Sequence, residues 1–165
     1  MYQIGEQVVY GIHGICQILD VEERRIDGKS HRYYVLEPAE QPGTKFWVPV
    51  DDQAAVAKLR PVITREELEQ VFRSDAIRQG QWIADENQRK QRYKELITRG
   101  DRLSLLQMVY AIHQQKTLLQ QKGKKLHLCD INFLRDAERL LDTELSQVLG
   151  IPRLQVESYI LDRMA

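Results

Sequence analysis

The chain has 165 residues, 42% hydrophobic and 29% charged, which is the composition of a folded globular protein and excludes a disordered tail. Its 24 Lys+Arg balance 24 Asp+Glu, so no global charge draws it to nucleic acid or to a membrane. No apolar run approaches the roughly 20 residues that cross a bilayer, and no association with a membrane is expected.

In chain order, the opening Met1-Tyr2-Gln3-Ile4-Gly5-Glu6 lacks the basic and apolar segments of a secretory signal, so a cytoplasmic location is expected. Residues 6–60 read as short strands. Gln7-Val8-Val9-Tyr10 is β-branched and aromatic, and Gly11 and Gly14 punctuate a turn after it. Ile15 to Ile26 alternates loosely, and Asp27-Gly28 is a hairpin signal leading into His31-Arg32-Tyr33-Tyr34-Val35-Leu36. After a turn at Gln41-Pro42-Gly43 comes Lys45-Phe46-Trp47-Val48-Pro49-Val50, in which Phe46 and Trp47 point to opposite faces and Pro49 marks an edge or a strand end. Five short strands with tight turns predict a small Tudor- or SH3-like β-barrel over 1–62.

The remainder, 63–165, reads as a compact all-α domain of five helices, so the fold class is α+β in two domains. Thr64-Arg65-Glu66-Glu67 is a capping box for the first helix. The second runs from about Ala76 or Gln81 to Arg99, with Gly100 at its stop and Asp101 as the next cap. The third carries Leu103 through Leu119 to Gly123, followed by Lys124-Lys125 in a loop. Asp130 is a candidate N-cap for the fourth, and Pro152 starts the fifth.

The second helix has almost nothing to bury between Ile83 and Tyr93, so its middle is exposed or meets a polar partner. The stretch Arg89–Arg102 holds six basic residues against two acidic ones. Such a run is either a solvated helix face of mixed charge or a nucleic-acid face. Trp82, just before it, is either a core anchor or a wedge for a distorted DNA groove.

Reactive constellations are lacking. The four histidines have no metal-ligand spacing, Gly11-Ile12-His13-Gly14 does not open a helix as a phosphate loop would, and no nucleophile stands at a recognisable spacing from a base. Cys16 and Cys129 form no CxxC pattern and read as reduced thiols packed as small hydrophobes. No enzymatic activity, cofactor or metal is expected.

The opening Ile4-Gly5-Glu6-Gln7-Val8-Val9-Tyr10, with His13-Gly14 and Ile18, resembles the start of the CarD/CdnL family, a module shared with the RNA-polymerase-interacting domain of the transcription-repair coupling factor. Tyr33-Tyr34-Val35-Leu36, Val48-Pro49-Val50, Arg89 ahead of Gly100-Asp101, and the late pattern Leu126, Asp130, Phe133-Leu134, Ala137, Leu140-Leu141, Glu144-Leu145 continue the likeness in order. The resemblance implies an N-terminal domain that binds the RNA polymerase β subunit and a helical domain that contacts promoter DNA at the upstream edge of the melted region. It implies a polymerase contact at Arg24 and DNA contacts at Trp82, Arg89, Lys90, Arg92 and Lys94; Trp47 beside Lys45, an aromatic next to a cation, adds both to the candidate polymerase surface. Trp47 stands where family members often have Arg. Glu86 occupies the usual place of the family tryptophan, and Trp82 lies four residues earlier, one turn if the helix runs through both. The expectation is a monomeric regulator that stabilises the promoter open complex. The alternative is a protein–protein adaptor that uses the β-barrel alone.

Overall fold

In the computed structural model, which describes residues 1–164, the chain groups into two compact units that meet at Val62 and Ile63. The first is built on an antiparallel sheet of β1 (Gln7–Tyr10), β2 (Ile15–Ile26), β3 (Lys29–Pro38), β4 (Phe46–Pro49) and β5 (Leu59–Pro61), in the order β4-β3-β2-β1-β5. A one-turn helix, α1 (Gln53–Val56), precedes β5. The sheet is assembled from local signals. Asp27 and Gly28, with φ of 53° and 75°, make the two-residue turn that pairs Ile26 with Lys29. From there β2 and β3 stay in register back to Cys16 and Pro38, with an irregularity between Ile18 and Asp20. One face buries Val8, Cys16, Ile18, Tyr34, Leu36, Val48 and Leu59.

Two expectations need correction. The sheet is open rather than a closed barrel: β4 and β5 are its two edges. Both are short and both end in a proline, Pro49 and Pro61, which has no N–H to donate to a closing ladder. The unit also contains α1, nucleated by Asp52, whose carboxylate accepts from the amides of Ala54 and Ala55.

From Ile63 the structure is helical: α2 (Arg65–Arg73), a 3-10 turn (Ile77–Gln79), α3 (Glu86–Arg99), α4 (Arg102–Gln121), α5 (Leu128–Leu149) and α6 (Arg153–Met164). The capping box forms: the Thr64 hydroxyl accepts from the Glu67 amide at 3.1 Å, and the Glu67 carboxylate accepts from the Thr64 amide at 3.0 Å. Gly100 takes the left-handed conformation that ends α3, and the Asp101 carboxylate accepts from the Ser104 amide to start α4. Leu68, Leu105, Leu106, Ile112, Leu141, Leu145 and Ile160 fill the core. Glu144, buried on α5, accepts from the Ile63 amide at 3.1 Å and from Arg102 Nε at 2.9 Å, tying the start of this unit to α4 and α5.

The helix expected from Ala76 or Gln81 starts only at Glu86. The chain crosses tightly over α4 at Gly80, where a Cβ would lie 2.3 Å from the Gln107 carbonyl oxygen. Asp85, in an extended conformation, then caps α3 by accepting from the Gln88 amide at 2.8 Å. Trp82 therefore precedes the helix, and no helical turn relates it to Glu86. Asp130 is likewise not the cap of α5. His127 occupies that position, and Asp130 sits inside the first turn, fully buried.

Candidate functional site

On the sheet unit, Glu22 and Arg24 lie two apart on β2 and so share a face, and Trp47 on β4 lies on the far side of β3. The Trp47 indole N–H donates to Glu22 Oε2 at 3.1 Å, and Arg24 donates to the same oxygen at 3.3 Å. The Arg24 guanidinium stands 4.9 Å from the centre of the Trp47 ring. Trp47 remains 41% exposed, while Phe46 beside it packs on the core, as strand alternation requires. Solvated contacts of this kind stabilise the fold by at most about 1 kcal/mol each. Their effect is to hold a half-exposed aromatic ring beside a cation. Lys45, exposed, immediately precedes β4. Sequence reasoning missed Glu22, which joins the other two; the available signal was its i, i+2 spacing from Arg24 on a strand.

In the helical unit the centre of interest is Arg89. It is 3% exposed, not part of a solvent-facing run. Its Nε and one terminal nitrogen donate to the two oxygens of Asp130 at 2.8 and 3.0 Å, a bidentate pair. The other terminal nitrogen donates to the Ile83 carbonyl at 2.9 Å, and the guanidinium lies 4.2 Å from the centre of the Trp82 ring. Burial works against the charge, but the hydrogen bonds and charge of Asp130 outweigh it and raise the Arg89 pKa above its ordinary value. One side chain thus fixes the backbone just after Trp82 and lies over one face of its indole, which also packs, partly buried, against the helical core. This explains the sparse apolar middle of α3: the polar partner it meets is Asp130, on α5. Tyr93, one turn on, packs edge-to-face on Phe133, and burial pushes its hydroxyl up to about 12.

The other basic residues do not form one face. At about 100° per residue, Lys90 and Lys94 fall on one flank of the buried stripe Arg89, Tyr93, Leu96, and Arg92 falls about 200° from Lys90 on the other. Lys90 pairs with Glu86 at 3.2 Å and Arg92 with Glu95 at 3.4 Å, while Lys94 is exposed.

Beside this node lies a cleft of about 400 Å³, with Trp82, Gln115, Leu119, Lys124, Lys125 and His127 in its walls. Lys124 and Lys125 are exposed, and in the sequence they stand out only as part of a loop. Only the packing of α4 against α5 brings them to Trp82.

Among the described residues, possible metal ligands gather at His113, Glu138 and Glu157, whose ligating atoms lie within 4.8 Å of one another. His113 Nε2 and Glu138 Oε1 are 3.1 Å apart, the geometry of an ordinary histidine–carboxylate hydrogen bond, and Glu157 is exposed. Nearby, burial and the charges of Glu138 and Glu157 push the Asp142 carboxyl up to about 6. No described helix is long and apolar enough to cross a membrane.

The first unit is thus a small antiparallel sheet that presents an aromatic–cation cluster on its surface. Residues 2–63 match the family model described as CarD-like/TRCF RID domain, and the first unit of this chain is a domain of that RNA-polymerase-interacting family. No curated protein matches the chain.

Proposed function

We propose that this protein is a transcription regulator. Its residues 1–62 dock on the RNA polymerase β subunit, and its residues 63–165 contact promoter DNA at the upstream edge of the melted region, stabilising the open complex. The observation that carries the reading is the CarD-like/TRCF RID match over residues 2–63. It is supported on the sheet by the exposed Arg24–Trp47 pair with Lys45 beside it, a surface suited to a protein partner. On the helical unit it is supported by an indole in the wall of a cleft that two unpaired lysines also line.

In this mechanism Trp82 meets the DNA, and Lys90, Lys94, Lys124 and Lys125 neutralise phosphates near it, with Arg92 reaching a phosphate on the other side of α3. Arg89 is a positioning residue rather than a phosphate ligand, since its donors are committed to Asp130 and the Ile83 carbonyl. A protein that binds the open complex tenfold better than the closed one shifts that equilibrium by about 1.4 kcal/mol. The shift requires no catalytic group. The regulator acts as a monomer in the cytoplasm.

The test is the lifetime of heparin-challenged open complexes on a promoter fragment, combined with capture of the purified β subunit. Wild-type protein is expected to lengthen the lifetime, Trp82→Ala to abolish that effect while retaining β capture, and Arg24→Glu to lose β capture. An unchanged lifetime with wild-type protein refutes the DNA role. β capture without any change in lifetime leaves an adaptor that works through its sheet alone.

A further inference from the structure

The cleft beside Trp82 has a neighbour. A second cavity of about 280 Å³ is walled by Leu126, Ile131 and Leu134, with Lys116, Lys124 and Lys125 at its rim. Lys124, Lys125 and Leu126 line both cavities and form the ridge between them. We propose that this ridge and its two flanking cavities bind single-stranded DNA, with one unpaired base on either side and the intervening phosphates on the lysines. The inference rests on the promoter-facing reading of the helical unit and names the form of DNA it takes.

Three observations lead there. The ridge is rigid. At the end of α4 the Gly123 amide donates to the Gln120 carbonyl at 3.1 Å and the Lys124 amide to the Leu119 carbonyl at 2.8 Å, with Gly123 at φ +68°. That is a Schellman closure, so the backbone carrying the lysines is held in place before any ligand arrives. Next, the cations are available. Lys116, Lys124 and Lys125 have no ion-pair partner among the described residues. Of the carboxylates in the walls, Glu86 is paired with Lys90 and Asp130 with Arg89, and the second cavity has none. Finally, the walls suit bases and not a duplex. An indole with Leu119 on one side and Leu126, Ile131 and Leu134 on the other offer apolar surface in hollows. A paired duplex presents its charged backbone there and leaves the apolar walls unused, whereas an unstacked base can enter each hollow with its ring face against the wall. A peptide of acidic residues would find the lysines but would have no ring to bury.

The test uses the whole protein and a fluorescein-labelled oligothymidine of about 12 nucleotides, compared by anisotropy with a duplex of the same length at about 50 mM salt. The single strand is expected to bind at least about tenfold tighter than the duplex, with a log–log salt slope near −2 for three lysines at about −0.7 each. Lys124→Ala/Lys125→Ala, both on exposed positions, is expected to weaken the single strand about tenfold. Ile131→Glu, which places a carboxylate at the second cavity, is expected to weaken it as well. Equal or tighter duplex binding overturns the proposal. So does displacement of the oligonucleotide by polyglutamate of matched charge at the same concentration as by unlabelled oligothymidine, or a double-lysine variant that binds like wild type. An open-complex lifetime that still depends on Trp82 while oligothymidine fails to bind removes the single-strand site and leaves the promoter reading intact. A lifetime unaffected by wild-type protein removes the promoter reading itself.

Discussion

Replacing Asp130 with Asn removes the charge from a pair whose side chains are 1% and 4% exposed, leaving a buried guanidinium with no counter-ion. Breaking such a pair from one side costs about 3–5 kcal/mol, because the remaining charge stays desolvated. Asn keeps one acceptor oxygen for Arg89 Nε, so the lower end, about 3 kcal/mol, applies, and Asp130→Ala falls nearer the upper end. Much of that loss belongs to the orphaned cation rather than to the bond. Arg89→Leu combined with Asp130→Leu should therefore be considerably milder than the sum of the single changes, with a coupling of about 2 kcal/mol or more. The assay is urea unfolding followed by tryptophan emission in a Trp47→Phe background, so that Trp82 alone reports. The Asn variant should also shift the native Trp82 emission to the red, since the guanidinium at 4.2 Å no longer holds its place over the ring. A loss of stability below about 0.5 kcal/mol with an unchanged spectrum would refute the assignment of Arg89 as the support of Trp82.

Asp142→Asn is expected to stabilise the protein by about 1 kcal/mol at neutral pH, the partial solvation of this half-buried group reducing the full value of its shift. The sign follows from a folded-state value near 6 against an ordinary 3.8: the folded form holds the proton longer, so wild-type stability falls as pH rises from about 4 to about 6 and is level above. Melting curves across that range should show a gain for the variant at pH 7 and none at pH 4. Gly80→Ala drives a Cβ onto the Gln107 carbonyl and should lower stability by about 1–3 kcal/mol with a change in Trp82 emission. Glu22→Gln weakens the acceptor shared by Arg24 and Trp47, and should reduce β-subunit capture while changing stability by no more than about 0.5 kcal/mol in denaturant titration.

The features legible in the sequence are those whose cause lies within a few residues. The Asp27-Gly28 turn, the Thr64–Glu67 box, the Gly100-Asp101 punctuation and the amphipathic stripes of α4 and α5 all appear where local chemistry puts them. What was not legible depends on distant partners. Arg89 reads as one cation in a basic run because Asp130 is 41 residues away, and burying either without the other would be prohibitive. Whether the sheet closes is decided between its two edge strands, β4 and β5, which no local pattern reports. The start of α3 is not legible because residues 81–84 contain no helix breaker. The Asp85 cap and the crossing at Gly80 override their propensity. In the candidate site, Trp82 was visible as a residue, but its setting was not. Lys124 and Lys125 gained meaning only when α4 and α5 brought them to it.

The Glu144 carboxylate has a consequence for motion. Ile63 stands where the chain passes from strand to helix, a place where backbone amides commonly exchange with solvent in seconds. Its N–H instead donates to an oxygen buried on a helix 81 residues further on, one that Arg102 also holds. That amide cannot reach water until α5 lifts away, so its deuterium uptake should follow the opening of the helical core rather than the fraying of a connector. The protected backbone of the helical unit thus begins at its first residue, Ile63.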